Sequence, residues 1–307
     1  MKISQKSYLK YLNQVFPHWG NEDMFNWCFK NKTFKIPTDI YVLPESDSEL
    51  DKIAAGSAVV YREIDIAQKS KINIGIMTGS WTLPEYRNKG FFTKIIEKSL
   101  ELTCTKKADA LCAFVTETNV SSRRLVAAGS IAIPAYYLFF ENKNSNDNVC
   151  LAEVEKINTD NTLLKQLFSS YLQYKNDKCC FSYNLDSFVE QYFNRPEETY
   201  IVRIAKRLFI IEENLDTIKV LFAEKRHNED LKKLATDLLH LGLWATNKCS
   251  KKLYYYTTNK YEKESLLAMD FSLLNGYFTV LQSKKDNKNI LNYLSHPNFE
   301  INLGDKM

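Results

Sequence analysis

The sequence predicts a mixed α/β (α+β) fold, a mixed central sheet flanked by helices, present in two copies. Short apolar runs of strand character alternate with amphipathic helical stretches along all 307 residues. An apolar strand over 71–81 leads through Pro84 into a helix that opens at Gly90. The order of strands, central strand, helix, strand, short helix, strand occurs once on each side of the polar run 142–148. The two halves share negligible identity, so the repeat is one of element order.

In the first half, Tyr8, Leu9, Tyr11, Leu12, Val15 and Phe16 form a helical stripe over 7–16, which Pro17 ends. A second short helix covers 21–29, with Asn21 as cap and Glu22 and Asp23 in its first turn, where their charge suits the helix dipole. Strands follow at 39–43, 52–65 and 71–81, then a helix over 90–102 with Phe91, Phe92, Ile95, Ile96 and Leu100 on its apolar positions. The run 110–115 is short and wholly apolar, as a strand buried on both faces must be. A short helix over 120–128 and an apolar strand over 131–141 complete the half.

The polar run 142–148 carries no periodic residue and marks the boundary, giving domains at 1–143 and 149–307. In the second half helices are expected at 161–173, 185–193, 229–241, 260–269 and 287–294. Strands are expected at 200–205, 208–212, 217–223, 252–257 and 276–282.

Bulk properties narrow the function. A chain of this length fits two domains, each able to form a core. With 45% apolar and 25% charged residues the composition is that of a globular protein. The longest apolar stretches fall short of the roughly 20 residues that span a bilayer, so no membrane span is expected. The basic start at Met1 and Lys2 has no apolar core or small-residue cleavage site behind it, which points to the cytoplasm. Seven cysteines form no C-x-x-C pair, and the four histidines are scattered, so neither a metal site nor a disulfide framework is expected. A net charge of +4 is too mild to argue for nucleic acid.

The chemistry lies at Pro84-Glu85-Tyr86-Arg87-Asn88-Lys89-Gly90. Amides of a first helical turn have no intrahelical acceptor, and the helix dipole adds partial positive charge there. A glycine at that point admits a diphosphate close to the backbone, and Arg87 and Lys89 add cationic charge. The segment resembles motif A of the GNAT superfamily of acyltransferases, Q/R-x-x-G-x-G/A, with Arg87 at the first position and Gly90 at the first glycine. Phe92 stands where glycine or alanine is usual. The resemblance covers roughly residues 15–141. Around Phe181–Asp186, Asn194–Tyr200 and Phe299–Asp305 the second half resembles the degenerate second domain of tandem GNAT-like proteins.

The resemblance implies an N-acyltransferase with acetyl-CoA as co-substrate, no metal, and a small-molecule amine as acceptor. It implies that Arg87, Asn88, Lys89, Gly90, Phe91 and Phe92 hold the diphosphate. The backbone of Trp81, Thr82 and Leu83 would pair with the pantetheine arm, and Asn119 would open the helix after the next strand. The thiolate's proton usually comes from a tyrosine on that helix, but its place holds Val126, with no acid at Leu125 or Ala127. Tyr137 or Tyr136 is then the candidate acid, and Glu117 the candidate base, with Glu63 or Asp65 behind it. Each of these residues could instead be core or solvated surface. Trp19, Trp27 and Trp81 read either as core or as a wall of the acceptor pocket, Trp81 foremost. The missing acid keeps a second function open, an acyl-CoA-binding or interaction protein without turnover. In the second half the segment matching the phosphate loop, 224–230, has no glycine and carries Glu229 and Asp230, so one coenzyme A per chain is expected.

Overall fold

The computed structural model describes the chain except residues 2, 32, 34, 47, 49–51, 67–69, 142–152, 158–159, 176–177, 226–230, 284–289, 291–293, 295–298 and 307. The first half runs α1 (Gln5–Val15), α2 (Glu22–Phe29), β1 (Asp39–Pro44), β2 (Ile53–Ile66), β3 (Ser70–Thr82), α3 (Phe91–Thr105), β4 (Ala110–Thr116), α4 (Val120–Ala127) and β5 (Ile131–Phe140). The second runs β6 (Val154–Ile157), α5 (Asn161–Lys175), β7 (Cys179–Phe181), α6 (Leu185–Tyr192), β8 (Glu198–Ile204), β9 (Arg207–Glu213), β10 (Thr217–Ala223), α7 (Leu231–Cys249), β11 (Lys252–Thr257), α8 (Lys260–Leu267) and β12 (Ser272–Gln282).

The expected elements form, with shifts at their ends. Asn21 caps α2, its side chain accepting from the Met24 amide at 3.0 Å. Two short strands escaped the sequence: β7 is only three residues long, too short for a period, and β6 follows directly on the polar run. Helix α7 runs on to Cys249 rather than stopping at 241, because Leu243 and Ala245 continue its buried stripe. The boundary run 142–148 and most of the expected helix at 287–294 lie outside the described residues.

The strands form one sheet in the order β1-β2-β3-β4-β12-β5-β11-β10-β9-β8-β6, with β7 added on β2. Apart from the extra edge strand β6, this order is symmetric about the junction of β5 and β12. Each half ends by placing its last strand beside the other half's next-to-last: β12 pairs antiparallel with β4, and β5 antiparallel with β11. The two exchanged strands pair with each other from Ser272↔Phe139 to Val280↔Ile131. The two copies thus share a sheet. One core cluster spans both, joining Ile74, Ile76 and Cys112 with Tyr137, Tyr171, Phe188, Phe222, Tyr256 and Phe278.

The faces of the sheet carry different helices. Helix α3 buries Phe91, Ile95, Ile96, Ser99 and Thr103 as a stripe at helical spacing. That stripe meets Tyr41, Val59, Met77, Ala113 and Val115 on one face. Tyr41 Oη donates to the Ile95 carbonyl at 2.7 Å and tightens the contact. On the opposite face α1 and α2 cover Val42, Ala58 and Val60 through Tyr8, Leu12, Phe25 and Phe29.

Candidate active site

The parallel pair β3–β4 holds its register only from Ile74↔Ala110 to Ile76↔Cys112. Beyond Ile76 the two strands part, although β3 continues to Thr82 and β4 to Thr116. On its other edge β3 carries a bulge, since Gly56 faces Trp81 whereas Ala58 faces Thr78. The bulge contains Gly79, at φ +55°, whose carbonyl accepts from Tyr8 Oη at 2.9 Å. Helix α1 therefore fixes the backbone of β3 just where the strand leaves its neighbour.

Past the parting comes the loop the sequence singled out. Pro84–Tyr86 form one 3₁₀ turn, Asn88 takes φ +63°, and Gly90 takes φ +81° as the cap of α3. Nothing lies within 4 Å of where a Gly90 side chain would begin, so the space over the helix N-terminus is open. The amides of Thr93 and Lys94 are satisfied by the Gly90 carbonyl at 3.1 and 3.3 Å, while the earlier amides of the turn have no helical acceptor to use. Arg87, Asn88 and Lys89 are exposed around this opening. Tyr86 stiffens the loop: its hydroxyl donates to Glu45 at 3.0 Å and its ring meets Phe91 edge-on at 5.8 Å. Lys89 Nζ lies 5.1 Å from the Tyr86 ring centre, beside the opening.

The parting is the wall of a cavity of about 320 Å³ that crosses the sheet. Met77, Phe92, Ala113 and Val115 line it on the face of α3, with Asn119 and Ser121 at the start of α4. Phe16, Trp19, Ile76, Phe114 and Lys306 line it on the opposite face, with Thr78 and Ser80 from β3. The lining thus draws on both faces of the sheet, with Phe92 of the first turn of α3 on one side and Lys306 on the other.

The expected site residues fall into three groups. Phe92 and Asn119 line the passage, and Asn119 caps α4 by accepting from the Ser121 amide at 3.0 Å. Arg87 to Phe91 surround the helix end, Phe91 with its ring buried beneath it. Trp81 is core: it is buried, stacked on Tyr11 at 5.0 Å, and in contact with Gly56. The tryptophan that lines the passage is Trp19, which stacks on Phe29, whereas Trp27 sits under the Arg195 guanidinium at 4.2 Å. The buried Thr82 hydroxyl and Trp81 indole N–H have no hydrogen-bond partner among the described residues.

The candidate acids and bases are less gathered. Glu117 lies exposed beyond the end of β4 and outside the lining of the passage. Glu63 and Asp65 sit far along β2. Burial raises the Glu63 carboxyl, but Lys35 at 2.7 Å and Lys71 outweigh it and hold the group below its usual range. Asp65 is paired with Lys175. Tyr136 points to the face of α7 and α8, its ring beneath Lys263. Tyr137 is buried, its hydroxyl pushed up to about 12 by burial, and it accepts from Lys306 Nζ at 3.4 Å. The sequence points to Trp19 for this place only behind Trp81, and no sequence signal marks Lys306 or Phe16; only the tertiary fold brings them together.

The second half repeats the parting of strands. Parallel β10 and β11 pair only from Thr217↔Lys252 to Lys219↔Tyr254. Here the protein fills the gap itself: the 3₁₀ turn Leu303–Asp305 packs against both strands. Leu303 joins the core with Leu221, Phe222 and Tyr256. Lys225, a cation at the matching end of this half, is buried in ion pairs with Glu262 at 2.5 Å and with Glu300.

With this geometry established, the chain compares closely in fold with solved acyltransferases. A protein of unknown function from Enterococcus faecalis V583, described as a probable N-acyltransferase, matches with a TM-score of 0.58 at 9% identity, over 91% of this chain and 70% of that one. Saccharomyces cerevisiae N-myristoyltransferase with bound myristoyl-CoA matches with a TM-score of 0.63 at 10% identity, over 90% and 75%. A GCN5-related N-acetyltransferase from Anabaena variabilis matches with a TM-score of 0.58 at 14% identity, over 92% and 72%. No family model and no curated protein matches the sequence. The chain has the GNAT fold in tandem.

Proposed function

We propose that this chain is an N-acyltransferase that moves an acetyl group from acetyl-CoA to a small amine. One observation carries the reading: an open, glycine-capped helix end adjoins, through Phe92, a cavity lined from both faces of the sheet where β3 and β4 part. Arg87, Asn88, Lys89, Gly90, Phe91 and Phe92 would hold the diphosphate by backbone amides and cationic charge. The free edge of β3 beyond the parting, through Trp81, Thr82 and Leu83, would pair with the pantetheine amides, and Asn119 would flank the arm. The thioester would then lie inside the sheet, with the amine entering from the face of Trp19. The cavity is at the low end of the roughly 300–1,000 Å³ typical of small-ligand sites, which favours a short acyl group. Tyr137 is the candidate donor to the departing thiolate, and Glu117 and Lys306 are rival bases.

A non-catalytic acyl-CoA-binding protein is the second reading, favoured by Val126, half exposed where such enzymes usually carry an acid. Thermal shift and turnover separate the two. Millimolar acetyl-CoA is expected to raise Tm, because a ligand that binds only the native state stabilises it by mass action. A panel of amino sugars, amino acids and polyamines is expected to yield at least one acceptor with acetyl-dependent CoA release. No shift in Tm counts against both readings; a shift without turnover of any amine favours the binder.

A further inference from the structure

We propose that Lys306, carried on the tail of the second half, is the proton acceptor for the amine that attacks in the passage of the first half. The proposal rests on the acyltransferase reading above. Three structural observations carry it.

Among the described residues lining the passage, Lys306 is the single ionisable side chain; the rest are apolar, hydroxyl or amide groups. Glu117 does not reach the lining. Lys306 also lies on the correct side. The diphosphate site and α3 occupy one face of the sheet, so the acceptor must come from the other, where Lys306 stands with Ile76, Phe114 and Trp19.

The tail that carries it is held in a fixed place. Asp305 is buried and accepts from Tyr183 Oη at 2.6 Å and from Tyr192 Oη at 3.0 Å. Tyr183 accepts in turn from Arg62 of β2 at 2.5 Å, which ties the tail to the first half. The Gly304 carbonyl accepts from Gln191 Nε2 at 2.7 Å and the Lys306 amide donates to Leu303 at 3.0 Å. A buried network this well satisfied fixes the side chain that follows it.

The groups facing Lys306 are Tyr137 on β5, hydrogen-bonded to it; Tyr254 and Tyr256 on β11, packed on Tyr137; and Lys219 on β10, paired with Glu212 at 2.6 Å. Asp305 beside it is engaged with the two tyrosines. Burial first, and the charge of Lys219 second, bring the Lys306 ammonium down to about 8. A base that titrates near working pH is well matched to an alkylammonium acceptor.

The step balances without another reagent. The neutral Lys306 amine takes one proton from the acceptor's ammonium. The freed lone pair attacks the thioester carbon, the C–N bond forms, and the C–S bond breaks with its electron pair leaving on sulfur. The second nitrogen proton passes to the thiolate, giving coenzyme A as its thiol and an amide. Lys306 then returns its proton to solvent.

The test is the pH profile of kcat at saturating acceptor, for wild type, Lys306→Gln, Lys306→Arg and Glu117→Gln. Wild type is expected to rise with pH and level off above about 8, where Lys306 is neutral. Lys306→Gln is expected to lose that rise and about 100-fold in kcat, within the range for a general base. Lys306→Arg should not restore it, because a guanidinium stays protonated. Coenzyme A affinity and Tm should be unchanged in both, which sets the role apart from a structural one. Restoration by arginine would make Lys306 an anchor for an anionic acceptor and overturn the proposal. So would a rise that survives Lys306→Gln and vanishes in Glu117→Gln. Pulse propionylation of the C-terminal peptide, read by mass spectrometry, gives the lysine's own midpoint without turnover. A midpoint near 8 is expected; one at the ordinary lysine value of about 10.4 defeats the proposal. A wild type that turns over no amine defeats the transferase reading and this role with it, whereas an active wild type with an ordinary Lys306 defeats only the role.

Discussion

Gly90 concentrates two requirements in one residue. Its φ of +81° lies where a side chain is strained, yet the space beyond it is open, so the demand is on conformation and on access for a ligand. Gly90→Ala is expected to cost about 1–2 kcal/mol of stability, the usual cost of a left-handed non-glycine residue. Gly90→Asp adds a negative charge over the helix end and should abolish coenzyme A binding while leaving a folded protein, read by calorimetry and circular dichroism together. Coenzyme A binding by Gly90→Asp at wild-type affinity would place the diphosphate elsewhere. Gly276 has a different reason to be small: a Cβ there would come within 2.2 Å of the Tyr137 ring and 2.7 Å of the Val115 carbonyl. That close approach sets Tyr137 against β12. The sequence marked Gly90 because its demand is local; Gly276 was silent because its neighbours are 139 and 161 residues away.

Among the elements, β3, its loop and α3 were legible, since a strand, a proline turn and a capped helix follow one another within one stretch of chain. The placing of β5 and β12 was not. Both read correctly as strands, but their partners are chosen by the sheet: β5 lies between β12 and β11, and β12 between β4 and β5. Strand period fixes which face a residue takes and says nothing about which strand lies alongside. The exchange has a consequence for any division at the polar run. Residues 1–141 alone would keep β5 without either of its neighbours and leave the inner edge of β4 unpaired. Such a fragment is expected to lack a cooperative thermal transition, and to regain one when mixed with residues 149–307. A fragment that melts cooperatively by itself would show that the halves are independent folding units.

For the whole molecule, the two halves repeat one plan and use it differently. Both part their central parallel strands, but the second fills the gap with its own tail at Leu303–Asp305 and buries Lys225 between carboxylates. Titration calorimetry should therefore return about one coenzyme A per chain, and a value near two would overturn this account. The tail that closes the second gap goes on to place Lys306 against the cavity between β3 and β4, so the second half contributes to the lining of a cavity in the first. The loop segment 226–230, where the missing glycine was read, lies outside the described residues; the filled gap argues for the same stoichiometry from a different part of the fold.

By itself the sequence determined the class of fold, the repeat of element order and the anion-ready loop. Each of these is written in short-range signals: apolar period, proline turn, cap, and a glycine at a helix start. Only the tertiary structure decided what faces the passage. It moved the wall from Trp81 to Trp19, left Glu117 outside the lining, and brought Lys306 and Tyr137 together across 169 residues. The physical reason is that a site between strands is made by whichever chains lie alongside, and here that is settled by strand exchange and a buried network around Asp305. No local pattern near residue 306 encodes either.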